Sequence, residues 1–275
     1  MLEEAVESRS DGVRFGSEFC EWNIPDQKTL ERAYELAKSK EKDFTYVTPR
    51  VSDTGLEILQ SHFAFLDRLG TVRAVVNDFG VLNIMKRYPN LEAHLGRQMI
   101  YIPARCPWDQ VTQTKVGFVA RRKVERIFFQ TSLNYGPTVE FYKSRGVRSA
   151  DVDWIPDCFP SLEFLVKNGL RLSVYTHLVP ATVTRKCHTA RFLGEAAPEA
   201  CTRPCLGKAF LLRNDALGRE LFLQGNTVFR FIPPTREGAI RLYKSGVDEF
   251  VFPMSPASGI ENRNEIDQLI QTLRV

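Results

Sequence analysis

The chain has 275 residues, and 37 Lys and Arg against 33 Asp and Glu leave a formal net charge of +4. Hydrophobic residues make up 43% and charged residues 25%, the balance of an ordinary globular protein. At this length roughly three quarters of the unfolded surface can be buried, so no disulfide or metal is needed for stability, and a charge this diffuse does not by itself mark a nucleic-acid binder.

The first twelve residues, MLEEAVESRSDG, are acidic and lack an apolar core, so they do not read as a signal peptide. From Gly12 to Phe19 the pattern suits a first strand. Asp26 to Lys40 predicts a helix, with Leu30, Ala33, Tyr34 and Ala37 on one face and charges on the other. Phe44 to Val47 reads as a second strand stopped by Pro49. A second helix follows from Leu56 to Leu69, with Gly70 placed to end it. Val72 to Val76 is β-branched and compact, and leads through Asn77-Asp78-Phe79-Gly80 into a short helix over 81–88.

Two further strands are predicted at Met99 to Ile102 and Ile127 to Phe129. The basic run Arg121-Arg122-Lys123 with Arg126, just before the second, is expected to be a solvated face. Ser161 to Asn168 predicts a helix ended by Gly169, and Leu170 to Tyr175 a strand of alternating character. Leu221 to Leu223 and Val228 to Ile232 read as a hairpin around Gly225-Asn226. A helix over 236–245 and a last strand over 250–252 complete the pattern.

About eight strands separated mostly by helices imply parallel pairing with right-handed crossovers. The expected fold is a single α/β domain over 1–275, a TIM-like (β/α) barrel, irregular or incomplete, ahead of an open doubly wound sheet. The pattern breaks at about 176–220, which reads as a long cysteine-bearing loop. No run of about 18 apolar residues marks a transmembrane helix, so a cytoplasmic protein with reduced thiols is expected.

Six cysteines in a reducing compartment are metal ligands, catalytic groups or core residues. Cys187, Cys201 and Cys205 fall in the irregular segment, and the Cys201-Thr-Arg-Pro-Cys205 turn lets two thiolates address one ion or cluster. Arg185, Lys186, Arg191 and Arg203 surround them in sequence, and their charge would favour thiolates and offset a cluster's negative charge. Cys20, Cys106, Cys158 and His188 are the candidates for a fourth ligand. Cys20 follows a predicted strand end, where sites in parallel barrels form, whereas Cys106 and Cys158 lie among prolines and also suit structural roles. Spacing alone fits either zinc or an iron–sulfur cluster.

The run Cys187-His-Thr-Ala-Arg191 followed by Cys201-x-x-x-Cys205 resembles the iron–sulfur segment of peptidase family U-32, and most of all its UbiV branch. Phe15-Gly16-Ser-Glu18-Phe-Cys20 is similar to that family's first strand, Asn77-Asp78-Phe79-Gly80-Val81 to its aspartate-hydrophobe-glycine-valine motif, and Tyr175-Thr-His177-Leu178 to the strand before its second cysteine. His188 departs from the aromatic residue common at its position. The resemblance implies a barrel-like fold with a 4Fe–4S cluster on Cys20, Cys187, Cys201 and Cys205, the alternative metal being zinc. It further implies oxygen-independent hydroxylation of an aromatic or quinone precursor in anaerobic ubiquinone biosynthesis. Prephenate would be the oxygen donor and a UbiU-like sister chain the partner in a heterodimer, while other relatives hydroxylate RNA.

Peptidase chemistry finds little support in the residues. There is no H-E-x-x-H or G-x-S-x-G, and the four histidines are His62, His94, His177 and His188. If a substrate pocket lies over the barrel mouth, Glu18, Asp78, Arg105 and His177 stand nearest predicted strand ends, with Arg191 available to an anionic substrate. Asp78 is equally suited to cap the helix that follows it, Arg191 to balance cluster charge, and His177 to be a satisfied buried histidine.

Overall fold

A computed structural model of the chain describes residues 1–107, 127–194, 201–215 and 218–274, all but the side chain of Asn214. The basic run at 121–126 therefore lies outside the described residues. In chain order the elements are α1 (Leu2–Glu7), β1 (Gly12–Gly16), α2 (Gln27–Ser39), β2 (Asp43–Val47), α3 (Asp53–Asp67), β3 (Val72–Val76), α4 (Phe79–Ile84) and β4 (Leu91–Leu95). There follow α5 (Gly136–Lys143), β5 (Ser149–Asp153), α6 (Phe159–Lys167), β6 (Arg171–Tyr175), β7 (His177–Val183) and α7 (His188–Phe192). The last are β8 (Phe210–Asn214), β9 (Arg219–Gln224), β10 (Thr227–Ile232), α8 (Arg236–Lys244), β11 (Glu249–Val251) and α9 (Arg263–Leu273).

Seven strands form one parallel sheet in the order β1-β2-β3-β4-β5-β6-β11. In a flat sheet its outer strands would lie about 29 Å apart, six steps of about 4.8 Å. Instead Arg14 of β1 holds Glu249 of β11 at 2.6 Å, so the sheet curls until its edges face one another. The fold is thus the expected TIM-like barrel in incomplete form. Alternation along the strands divides its two faces. Val13, Tyr46, Ala74, Leu95, Val152 and Val174 point outward into the main apolar core, against Leu30, Leu59, Phe63 and Leu66 of the helices. The opposite parity points inward and carries Arg14, Arg73, His94, Asp151, Asp153 and Tyr175. The interior is therefore charged, and the hydrophobic core lies between sheet and helices.

Local chemistry accounts for the well-placed elements. Asp26 caps α2 by accepting the Thr29 N–H at 2.8 Å, and Ser52 caps α3 through Gly55. β1 ends earlier than its apolar pattern suggests, at Gly16, whose φ is +132°. A Cβ there would lie 2.1 Å from the Val47 carbonyl oxygen, so only glycine permits this approach of β1 to β2.

Two expected strands are corrected. Residues 99–102 form no ladder: Met99 closes a 3-10 turn (Arg97–Met99), and the fourth strand is Leu91–Leu95, whose inward Glu92 and His94 obscured it. Residues 127–129 end a helical turn, with Gln130 N–H bonded to the Ile127 carbonyl and Ile127 68% exposed, which a central strand would not allow.

The expected irregular loop at 176–220 is corrected in part. It holds β7, α7 and β8, and β7 and β8 join the β9–β10 hairpin in an antiparallel sheet of order β7-β10-β9-β8. The chain passes from β6 to β7 through Thr176 and then His177, which adopts the left-handed region at φ 64°. Arg230 of β10 donates to the Ala104 and Cys106 carbonyls, and Asn226 to the Phe19 carbonyl, so this second sheet is pinned beside the segments that follow β4 and β1.

Candidate functional site

Cys20 follows β1 and precedes a 3-10 turn (Glu21–Asn23); Cys187 is the N-cap of α7; Cys201 and Cys205 flank the turn before β8. Cys187 and Cys205 lie within electrostatic range of Cys20, and Cys187 and Cys201 within that of Cys205. Burial, and then the Cys187 and Cys205 thiolates, push Cys20 up to about 11, against N–H donors of Trp22 and Asn23. Burial, then Cys187 and Cys201, likewise raise Cys205, against its own N–H and the Asn23 side chain. Cys187 Sγ accepts the Ala190 N–H, and Cys201 Sγ the Arg203 N–H, each at 3.4 Å. Gly225, with φ 59°, brings the β9–β10 turn within 3.8 Å of Cys205 Sγ, measured from where a Cβ would stand.

The Cys187 and Cys201 sulfurs therefore each face a backbone donor, and none of the chain's cysteines is in a disulfide. Cys20 and Cys205, raised by burial and by neighbouring thiolates, are disfavoured as free thiolates, and a cation beside them would favour the charged form. The donor set suits a cluster or a thiophilic metal. Among the described residues, no three His, Cys, Asp or Glu side chains are grouped closely enough to hold a single ion.

Cys158 belongs to the apolar core, and burial pushes its thiol up to about 12. Cys106 offers its carbonyl to Arg230. His188 is exposed at the start of α7. Arg191 is exposed as well, and its backbone N–H bonds the Cys187 carbonyl.

Beneath the cysteine segments lies a buried ion-pair network. Arg97 grips Glu18 with Nε and Nη2 at 2.8 and 2.7 Å, while Nη1 donates to Asp153 at 2.9 Å and to the Leu178 carbonyl at 2.7 Å. Its guanidinium stacks on Tyr175 at 3.8 Å and lies over Phe19 at 5.6 Å. Arg105 holds the other oxygen of Asp153 at 2.6 Å. Lower in the barrel, Arg14 bridges Asp151, Glu249 and the Tyr175 hydroxyl, and His94 Nε2 meets Asp151 at 2.7 Å. Four arginines (14, 73, 97 and 105) thus face four carboxylates (Glu18, Asp151, Asp153 and Glu249), so the interior is charge-balanced.

Two of these carboxylates are pulled in opposite directions. Burial pushes Asp151 up, but Arg14 and His94 outweigh it and hold it at about 2. Burial also raises Glu18, and there Arg97 offsets it only in part. The two-point contact of Glu18 with Arg97 is the geometry of a charged pair.

Of the substrate-binding residues suggested by sequence, Arg105 enters this network. Asp78 caps α4 through the Gly80 N–H at 2.7 Å. Among the described residues no hydrogen bond or ion pair joins Asp78 or Arg191 to the network. His177 is buried with Nδ1 2.8 Å from the Thr176 hydroxyl, and burial alone pushes its imidazole down to about 4, so it is neutral at pH 7. Arg97, Asp151, Asp153 and Arg14 escaped notice, and His94 reads in the sequence as a surface or core residue. For those on strands the one signal in the sequence was a charge at every second position; Arg97, in a 3-10 turn, had none.

The depressed His177 has a measurable consequence. Between about 6.5 and about 4 the unfolded chain binds a proton that the folded chain rejects. Its contribution is complete well above pH 6.5 and is lost as the pH falls through that window, by about 3 kcal/mol. Urea unfolding at several pH values should show this slope in the wild type and not in His177→Asn, which tolerates the left-handed backbone. An unchanged slope would clear His177 of the effect.

The geometry defines an incompletely closed (β/α) barrel with an antiparallel sheet beside the ends of its first and fourth strands, three cysteines lying in the chain between β7 and β8. No protein-family model and no curated protein matches the chain significantly. Among solved structures, it is similar to dihydropteroate synthase (FolP) from Thermus thermophilus, with 13% identity over 100% of this chain and 88% of that one and a TM-score of 0.41. It is also similar to the U32 peptidase Mk0906, with 11% identity over 91% of this chain and 87% of that one and a TM-score of 0.42. No helix among the described residues is long and apolar enough to cross a membrane.

Proposed function

We propose that the chain is an iron–sulfur protein of the U-32 type, holding a 4Fe–4S cluster on Cys20, Cys187, Cys201 and Cys205. What supports this reading is that Cys187 and Cys201 each accept a backbone N–H, and that Cys187 and Cys205 act electrostatically on Cys20 and Cys187 and Cys201 on Cys205. Hydrogen bonds of this kind stabilise cluster sulfurs and tune their potential. When bound, a four-thiolate cluster supplies one-electron transfer. The chain's own residues set the surroundings: Asn23 and the backbone donors face the sulfurs, and Arg97 fixes Glu18, two residues before Cys20.

The motif resemblance extends the reading to oxygen-independent hydroxylation of an aromatic or quinone precursor, carried out together with a UbiU-like sister chain. The charge-balanced interior supports a shared role, because it leaves no uncompensated arginine among the network residues for an anionic substrate.

The test is anaerobic purification followed by iron, sulfide and zinc analysis. About four irons and four sulfides per chain are expected. About one zinc and no sulfide would overturn both the cluster and the hydroxylation that rests on it.

A further inference from the structure

β4 and β5 pair only at His94↔Ser149 and Leu95↔Ala150. Before those positions the two strands part, and a cavity of about 310 Å³ opens between Leu91–Ala93 and Arg148–Ser149. This is the N-terminal end of the strands, whereas Cys20 follows the C-terminal end of β1.

Its lining is strongly one-sided in charge. Lys86, Arg145, Arg148 and Arg171 border it, and Glu92 is the one acid among its lining residues, 3.9 Å from Arg171. Two of the guanidiniums are held in place without a carboxylate. Arg145 lies on the Phe141 ring at 3.5 Å, and its Nη1 donates to the Phe141 carbonyl at 2.9 Å. Arg148 Nη1 donates to the Lys143 carbonyl at 2.9 Å. Among the described residues neither forms an ion pair, and in each the hydrogen bonds engage Nη1, leaving Nε and Nη2 to a ligand. Leu82, Met85 and Leu91, each no more than 9% exposed, give the cavity its apolar lining.

Pre-oriented guanidiniums with spare forked donors suit phosphate oxygens, and an apolar wall suits the body of an organic molecule. We propose that this cavity is a second binding site, for the phosphate group of a small organic phosphate whose carbon skeleton lies on the Leu82–Met85–Leu91 wall. The site is independent of the cysteine centre.

Titration calorimetry of the full chain with phenyl phosphate and with inorganic phosphate at low ionic strength tests this. Phenyl phosphate is expected to bind saturably, about tenfold more tightly than inorganic phosphate. Arg148→Gln and Arg171→Gln should each weaken it by about tenfold. Glu92→Gln should tighten it by about threefold, a gain that misfolding cannot mimic. Arg213→Gln, in a surface pair with Glu220, should change nothing. No saturable heat, equal affinity for both probes, or weaker binding in Glu92→Gln would overturn the proposal. So would retention by the chain of single-stranded RNA but not of phenyl phosphate.

Discussion

Under the proposed 4Fe–4S assignment, replacing Cys205 by alanine should lower the iron from about four atoms to less than one, while leaving the barrel folded. The expectation follows from where the two kinds of stability reside. The apolar core lies between the parallel sheet and its helices, and of the chain's cysteines only Cys158 belongs to it. Cys20, Cys187, Cys201 and Cys205 occupy turns and caps outside that core. Losing a ligand therefore costs the metal and not the fold. Cys20→Ala, Cys187→Ala and Cys201→Ala should behave alike, with bleached absorption and unchanged far-ultraviolet circular dichroism. Cys106→Ala should keep its iron. Cys158→Ala should also keep it, at a cost in stability of about 1–2 kcal/mol for the buried sulfur. A full complement of iron in Cys20→Ala would break the assignment of the distant ligand, whatever the other three do.

Arg97→Ala should be the most destabilising single change, by about 3–5 kcal/mol. Only 1% of its side chain is exposed, and it is the common partner of Glu18 and Asp153. Its removal leaves Glu18 without its ion pair and Asp153 with Arg105 alone, and deprives Tyr175 and the Leu178 carbonyl of a partner. Arg97→Lys should recover only a minor part, because an ammonium cannot make the two-point contact with Glu18 while reaching Asp153. Combining Glu18→Gln with Arg97→Ala should cost less than the sum of the two single changes, since the amide no longer needs a cation. Urea unfolding of the four proteins measures this. A cost below about 1 kcal/mol for Arg97→Ala would mean that the network is not a structural element of the barrel.

How much of this was legible depended on how local each signal was. α2 and α3 could be read because their apolar stripes repeat within a few residues, although the cap at Ser52 starts α3 at Asp53, ahead of the expected Leu56. β2 and β3 are largely apolar runs, the expected form of a central parallel strand. β4 and β5 were missed for the opposite reason. Their inward positions carry Glu92, His94, Asp151 and Asp153, so Leu-Glu-Ala-His-Leu and Ser-Ala-Asp-Val-Asp look like surface segments until a charged interior is known.

The candidate centre divides in the same way. Cys201 and Cys205 announce themselves by proximity, whereas residue spacing left Cys20 among several candidates, and only the family resemblance singled it out. Arg97 carried no signal at all. It sits in a single 3-10 turn, and its carboxylate partners are 79 and 56 residues away.

The ion pair between the first and last strands also bears on how the protein behaves in a crowded solution. The outer strands of an open sheet present rows of unsatisfied N–H and C=O groups, which recruit strands from other molecules. β1 and β11 hold those positions here, and curling turns each toward the other, with Glu249 seated between Arg14 and Arg73. β11 is also only three residues long, too short to template an incoming chain. Curvature and brevity thus make the sheet a poor seed for fibrils, and they do so without proline or lysine in either edge strand.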